Sequence, residues 1–350
     1  MISHKPLTKF IKMKQLIFQP EQPLELECGA RLTNWQVAYH TYGRLNENAD
    51  NVFWVCHALT ANSDVADWWP GMVGPGALMD TDRYFIVCAN IIGSCYGSTG
   101  PLSLNPDTGN PWLDKFPLVT VRDLVHAHQI LRKHLGIKHI HAIMGGSLGG
   151  QQAIEWAISE PDLFSWLIPV ATNAHASAWG IAFNESQRMA IQADPSFGQG
   201  PDGGLKGMGA ARSIALLSYR NPITYKKTQT DPDTNKLENF KACSYQQYQG
   251  EKLKKRFNAY SYTTLTKCLD SHHVGRGRGT VQQALAQIRA TTLAIGITTD
   301  LLFPPEEQQL IADQVPRGRF FEINSTYGHD GFLIETEAIA HIIKPIINIS

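Results

Sequence analysis

Six short apolar runs punctuate the chain: NVFWVCHAL (51–59), YFIVCANII (84–92), HIHAIMG (139–145), SWLIPVAT (165–172), TTLAIGIT (291–298) and RFFEIN (319–324). Apolar runs of this length suit strands buried on both faces of a parallel sheet. Several are separated by stretches with apolar residues at helical spacing: VRDLVHAHQILRKHLG (121–136), SLGGQQAIEWAIS (147–159), PEEQQLIADQV (305–315) and a segment from 331 to 348. Such alternation predicts an α/β fold, a mostly parallel central sheet flanked by helices on both faces. LELECGARLTNWQVAYHTYG (24–43) alternates at period two and suits antiparallel strands at one edge.

From 173 to 285 the strand–helix alternation stops, then resumes with TTLAIGIT. The interruption holds helix-like pieces, GIAFNESQRMAIQADP and GMGAARSIALLSYR, followed by a polar stretch. It therefore reads as a helical lid (173–285) inserted into one core domain made of 1–172 and 286–350. The charge-rich part at 226–256 reads as the lid's solvated surface.

Lys+Arg and Asp+Glu balance at 31 each, so no general basic footprint for nucleic acid or polybasic membrane surface is present. Six scattered cysteines, with no C-x-x-C pair, read as reduced thiols. Lysines at 9, 12 and 14 interrupt any signal-peptide core, and no uncharged apolar run reaches the roughly 18–20 residues of a membrane span. The expectation is a cytoplasmic protein acting on a small molecule. No H-E-x-x-H or Cys/His ligand cluster suggests a metal.

The chemistry centres on IMGGSLGGQQAIEW (143–156), where Ser147 lies at a strand-to-helix junction within G-x-S-x-G. That pattern in that context is a nucleophile elbow, its glycines permitting a turn too tight for larger side chains. The bland alternative is a helix N-cap serine. A serine nucleophile needs a base and an orienting acid, here in chain order Ser, Asp, His. Asp300, after TTLAIGITT, and His329, in STYGHDGFL, fall at the C-terminal ends of predicted strands, where open α/β sheets gather catalytic groups. His126, His128, His134 and His139 read instead as helix or loop surface. Asp330 adjoins His329 too closely in sequence to orient it, so Asp300 is the triad acid. The oxyanion hole is expected from the N–H groups of Leu148 and Leu59, with His57 shaping the loop that carries Leu59.

Taken together, CHALTANSDV, NIIGSCYGSTGP, GGSLGGQQAIEW, GIAFNESQRMAIQADP, ARSIALLSYR, HHVGRGRG, GITTDLLFPPEEQ and YGHDGFL resemble the homoserine O-acetyltransferase family, in order and over about residues 15 to 345. The resemblance implies an α/β-hydrolase fold, usually a homodimer, that moves acetyl from acetyl-CoA to the L-homoserine hydroxyl. It implies Ser147 as nucleophile, Asp300 and His329 as its partners, Arg212 as the lid arginine for the substrate carboxylate, and Asp330 as the group for its ammonium. No permanently bound cofactor is implied; acetyl-CoA is the acyl-donor substrate. A zwitterionic alcohol does call for one cation, one anion and a nearby base, and arginine grips a carboxylate through paired hydrogen bonds. On residue type alone Arg212 is a surface helix arginine. Arg276 and Arg278 fit either CoA phosphates or a pinned Gly/Arg loop, and His273 stands where many relatives carry Asp or Asn. Succinyl donors, a serine acceptor, a serine esterase and a non-catalytic binding module remain the competing readings.

Overall fold

A computed structural model describes residues 14–347. Its strands are β1 (Leu16–Phe18), β2 (Leu24–Glu25), β3 (Arg31–Leu32), β4 (Val37–Tyr42), β5 (Val52–Cys56), β6 (Phe85–Ala89), β7 (Ile140–Gly146), β8 (Phe164–Val170), β9 (Thr291–Ile297) and β10 (Gly318–Ile323). Eight of them form one sheet in the order β1-β4-β6-β5-β7-β8-β9-β10. Pairing is parallel from β6 to β10 and antiparallel at β1 and β4. All six apolar runs supply a strand of this sheet.

The helices are α1 (Val65–Trp68), α2 (Val121–His134), α3 (Leu148–Ser159), α4 (Ala178–Gln192), α5 (Leu205–Tyr219), α6 (Pro222–Gln229), α7 (Lys241–Lys254), α8 (Ala259–Asp270), α9 (Val281–Leu285), α10 (Pro305–Gln314), α11 (Gly331–Ile334) and α12 (Thr336–Ile347). Alternate residues of β5 show why the strands are apolar throughout. Val52, Trp54 and Cys56 enter one core with Leu124, Ile154 and Trp156, while Phe53 and Val55 enter the other with Trp69, Ile339 and Ile343. Helices therefore cover both faces.

Two expectations are corrected. The 24–43 stretch divides: β2 and β3 form a separate two-stranded hairpin, and β4 lies inside the main sheet between β1 and β6. β4 remains antiparallel, as expected, but pairs with β1 on one side and β6 on the other, and its four consecutive buried residues show both faces covered. His128 is buried, not surface. It lies on the apolar face of α2 between Trp54 and Trp156 and pairs with Gln152 Oε1 at 3.0 Å. Burial lowers its pKa to about 4, so the ring is a neutral core group.

Between β8 and β9 the chain folds into α4–α9, and α5 crosses α7 where Gly209 meets Gly250. A Cβ on Gly250 would stand 2.8 Å from the Gly209 carbonyl oxygen, so only hydrogen at that position allows this close approach. The crossing fixes where Arg212, three residues further along α5, stands over the sheet. The following loop is pinned to the core by ion pairs: Arg276 to Glu27 at 2.7 Å and Arg278 to buried Glu155 at 2.6 Å. Arg276 and Arg278 are thus engaged by acids, the pinned-loop alternative.

Candidate active site

Between the end of β7 and the first residue of α3 stands Ser147, with φ 56° and ψ −126°. A non-glycine residue in that region is strained and persists only where its surroundings fix it. Those surroundings are close: Cβ atoms on Gly149 or Gly145 would fall 2.0 Å from the Cys56 carbonyl oxygen and 2.3 Å from the Gly149 carbonyl. Thr172 Oγ1 donates to the Ser147 carbonyl at 2.7 Å, holding the turn from behind. Ser147 occupies the N-cap position of α3, but its side chain accepts no capping hydrogen bond.

His329 and Asp300 meet behind this turn. His329 Nδ1 lies 2.7 Å from Asp300 Oδ2, and Asp300 Oδ1 accepts the N–H groups of Leu302 and Phe303 at 2.8 and 2.9 Å. Both residues are buried, so the carboxylate is fixed by three hydrogen bonds and fixes the ring in turn. The rings of Phe303, Phe332 and Tyr219 stand 5.1, 5.2 and 5.6 Å from the imidazole centroid. Ser147 and His329 line the same cavity of about 470 Å³ without a direct hydrogen bond between them. Such contacts tighten when substrate closes the site.

Leu59 also lines that cavity, and Leu148 opens α3 beside the serine. Among the described residues neither N–H donates to a protein acceptor, which leaves both free for an oxygen at the Ser147 hydroxyl. His57 holds the approach to Leu59. Its Nε2 accepts the Ile91 N–H at 3.1 Å, so Nδ1 donates to the Ala58 carbonyl at 2.9 Å. Burial lowers its pKa to about 4, which keeps that tautomer neutral.

Arg212 and Asp330 line the same cavity. The Arg212 guanidinium sits 5.3 Å over the Tyr219 ring and, among the described residues, makes no ion pair or hydrogen bond. Asp330 has a cation that sequence reading missed: Arg220 Nε lies 3.0 Å from Oδ2, an ion pair set off the line of a hydrogen bond. Among the described residues Asp330 Oδ1 receives no donor, the Arg220 contact falling on Oδ2. The signal for Tyr219 and Arg220 was present, because residues seven and eight beyond Arg212 return to its face of a helix. Lys252 and Arg256 also reach the cavity, so the 226–256 segment is more than a solvated surface.

A second, much smaller space of about 20 Å³ adjoins Ser147 between Leu59, Tyr219, Leu302 and Phe303. On α10, Glu307 stands near Asp300; burial first, then the Asp300 and Glu306 charges, push its pKa up to about 7. Among the described residues no cluster of three or more His, Cys, Asp or Glu could hold a metal, and no helix is long and apolar enough to cross a membrane.

A profile of the alpha/beta hydrolase fold family matches residues 51–336. A homoserine O-acetyltransferase of Cyclobacterium marinum is 48% identical over 335 residues, 95% of each chain. The chain belongs to the homoserine O-acetyltransferase family. The crystal structure of homoserine O-acetyltransferase from Bacillus anthracis superposes with TM-score 0.90 at 25% identity, covering 96% of this chain and 98% of that one. Esterase E22 superposes with TM-score 0.87 at 25% identity over 96% and 100% of the two chains. This architecture is thus shared with esterases, so the fold alone does not separate transfer from hydrolysis.

Proposed function

We propose that the protein is an acetyl-CoA:L-homoserine O-acetyltransferase working by a ping-pong mechanism. His329 takes the Ser147 hydroxyl proton as Oγ attacks the acetyl-CoA carbonyl, and the Leu59 and Leu148 N–H groups receive the oxyanion. Collapse expels the CoA thiolate, which takes the proton from His329, and acetyl-Ser147 remains. The homoserine hydroxyl then gives its proton to His329 and attacks the acetyl carbonyl. A second collapse returns the proton to Ser147 and releases O-acetylhomoserine.

One observation carries this reading: Arg212, a guanidinium without an ion pair among the described residues, and Asp330, a carboxylate with one oxygen unpaired among them, line the cavity of Ser147 and His329. A cation and an anion beside a base fit a zwitterionic alcohol, whereas a simple ester needs neither. Trp179, Met189, Leu217 and Ile223 expose apolar surface on the lid, which supports a homodimer formed through it. On this reading the enzyme works in the cytoplasm and uses acetyl-CoA as a substrate, with no resident cofactor. Incubation with acetyl-CoA and, separately, L-homoserine, L-serine or water tests the reading. O-acetylhomoserine should form much faster than O-acetylserine or acetate. Predominant acetate would make the protein an esterase.

A further inference from the structure

The loop that presents the Leu59 N–H is a turn, with the Ala61 N–H bonded to the Ala58 carbonyl at 3.1 Å. Leu59 and Thr60 occupy its two central positions. The core holds the start of the turn through His57, but its far half is gripped from the lid. Arg256 Nη1 donates to the Thr60 carbonyl at 2.5 Å and to the Tyr96 hydroxyl at 2.8 Å, and Nη2 donates to Thr60 Oγ1 at 3.3 Å. Tyr96 in turn donates to the Thr60 carbonyl at 3.5 Å.

Arg256 is itself well anchored although its side chain reaches the cavity rim. It follows α7 between buried Leu253 and Phe257; its carbonyl accepts from Cys95 Sγ at 3.7 Å, and Phe257 packs against the Tyr96 ring at 5.8 Å. A planar guanidinium holds its donors in a rigid fork and so locks the carbonyl and the hydroxyl of one residue in one orientation, which the rotatable donors of an ammonium do less well. From this geometry, and resting on the proposed role of Leu59, we infer that Arg256 is a positioning residue: it fixes the 58–61 turn so that the Leu59 N–H meets the oxyanion, coupling lid docking to assembly of the oxyanion hole. The competing role for a cation at this rim is docking the donor's phosphates, which Lys252, with no acidic partner among the described residues, could share.

Arg256→Ala and Arg256→Lys separate the two. Each is assayed with acetyl-CoA and with acetyl-pantetheine, which has the same thioester and no phosphate, and for inhibition by methylboronic acid, a tetrahedral mimic formed on the serine. Loss of an oxyanion donor typically costs about 100- to 1000-fold in kcat, so a loosened one should cost about tenfold or more. Arg256→Ala should show that loss with both donors, a matching rise in the boronate Ki, and a KM for acetyl-CoA changed by less than about threefold. Arg256→Lys should fall between it and wild type, and it supplies the same readouts if the alanine variant does not fold. An undiminished kcat with acetyl-pantetheine, with the defect confined to the KM for acetyl-CoA, would overturn the inference. A wild-type protein that forms no acyl-enzyme would instead remove the reading on which it rests.

Discussion

Arg212→Ala separates recognition from stability unusually well, because this guanidinium is held by so little. Among the described residues no acid lies within salt-bridge distance, and its described contact is the Tyr219 ring at 5.3 Å. Removing it leaves no buried carboxylate without a partner. The stability cost should be that of a partly exposed cation–π contact, about 0.5–1 kcal/mol. The cost to homoserine is larger. A hydrogen-bonded contact to a charged carboxylate is worth about 1.5–3 kcal/mol, or about 10- to 150-fold in kcat/KM for homoserine. Acylation by acetyl-CoA does not involve that carboxylate. Rapid mixing with acetyl-CoA should therefore release a burst of CoA at close to the wild-type rate, while the homoserine-dependent steady state collapses. Equal damage to both half-reactions would refute the assignment, as would a large drop in thermal midpoint.

Arg220→Ala should behave in the opposite way: Asp330 loses the cation 3.0 Å from its Oδ2, and the nearly buried carboxylate should cost about 2 kcal/mol of stability, read from the urea midpoint. Gly149→Ala places a methyl 2.0 Å from the Cys56 carbonyl oxygen, so the elbow must shift; kcat should fall about 100-fold with a destabilisation of about 1–3 kcal/mol. For Glu307 burial raises the folded pKa to about 7, above the ordinary glutamate value of about 4.5, so the folded state holds its proton more tightly. Its penalty is absent below pH 4.5, grows as pH rises, and is complete above pH 7; the shift corresponds to about 3 kcal/mol, reduced to about 2 by partial solvent screening. Glu307→Gln should thus stabilise the protein at pH 8 and leave it unchanged at pH 4, as measured by denaturant titration; equal effects at both pH values would contradict the cause assigned.

Much of this was legible in the chain because the signals are local. Strands buried on both faces are apolar at every position, as VFWVC (52–56) is, and the tight turn at Ser147 declares itself by glycines whose hydrogens alone fit. The pairing of Asp300 with His329 was reachable because chain order and strand ends constrain where the partners of a serine at 147 could stand. What escaped notice depends on contacts distant in sequence. Arg256 bonds to Thr60 across 196 residues, and Arg220 matters only because the lid brings it to Asp330. His128 is different: it follows Leu124 by four residues and Val125 by three on the buried face of α2, so its burial was readable from helical spacing. Its polarity masked that, since the Gln152 partner that makes burial tolerable lies on another helix.

The central claim is that Ser147 carries the acetyl group between donor and acceptor. Intact-protein and peptide mass spectrometry after mixing with acetyl-CoA alone tests it most directly. One added acetyl on the peptide containing Ser147, lost on addition of L-homoserine and never formed by Ser147→Ala, is the expected result. Steady O-acetylhomoserine production by Ser147→Ala at more than about one percent of the wild-type rate would contradict it, because loss of a nucleophile costs several orders of magnitude.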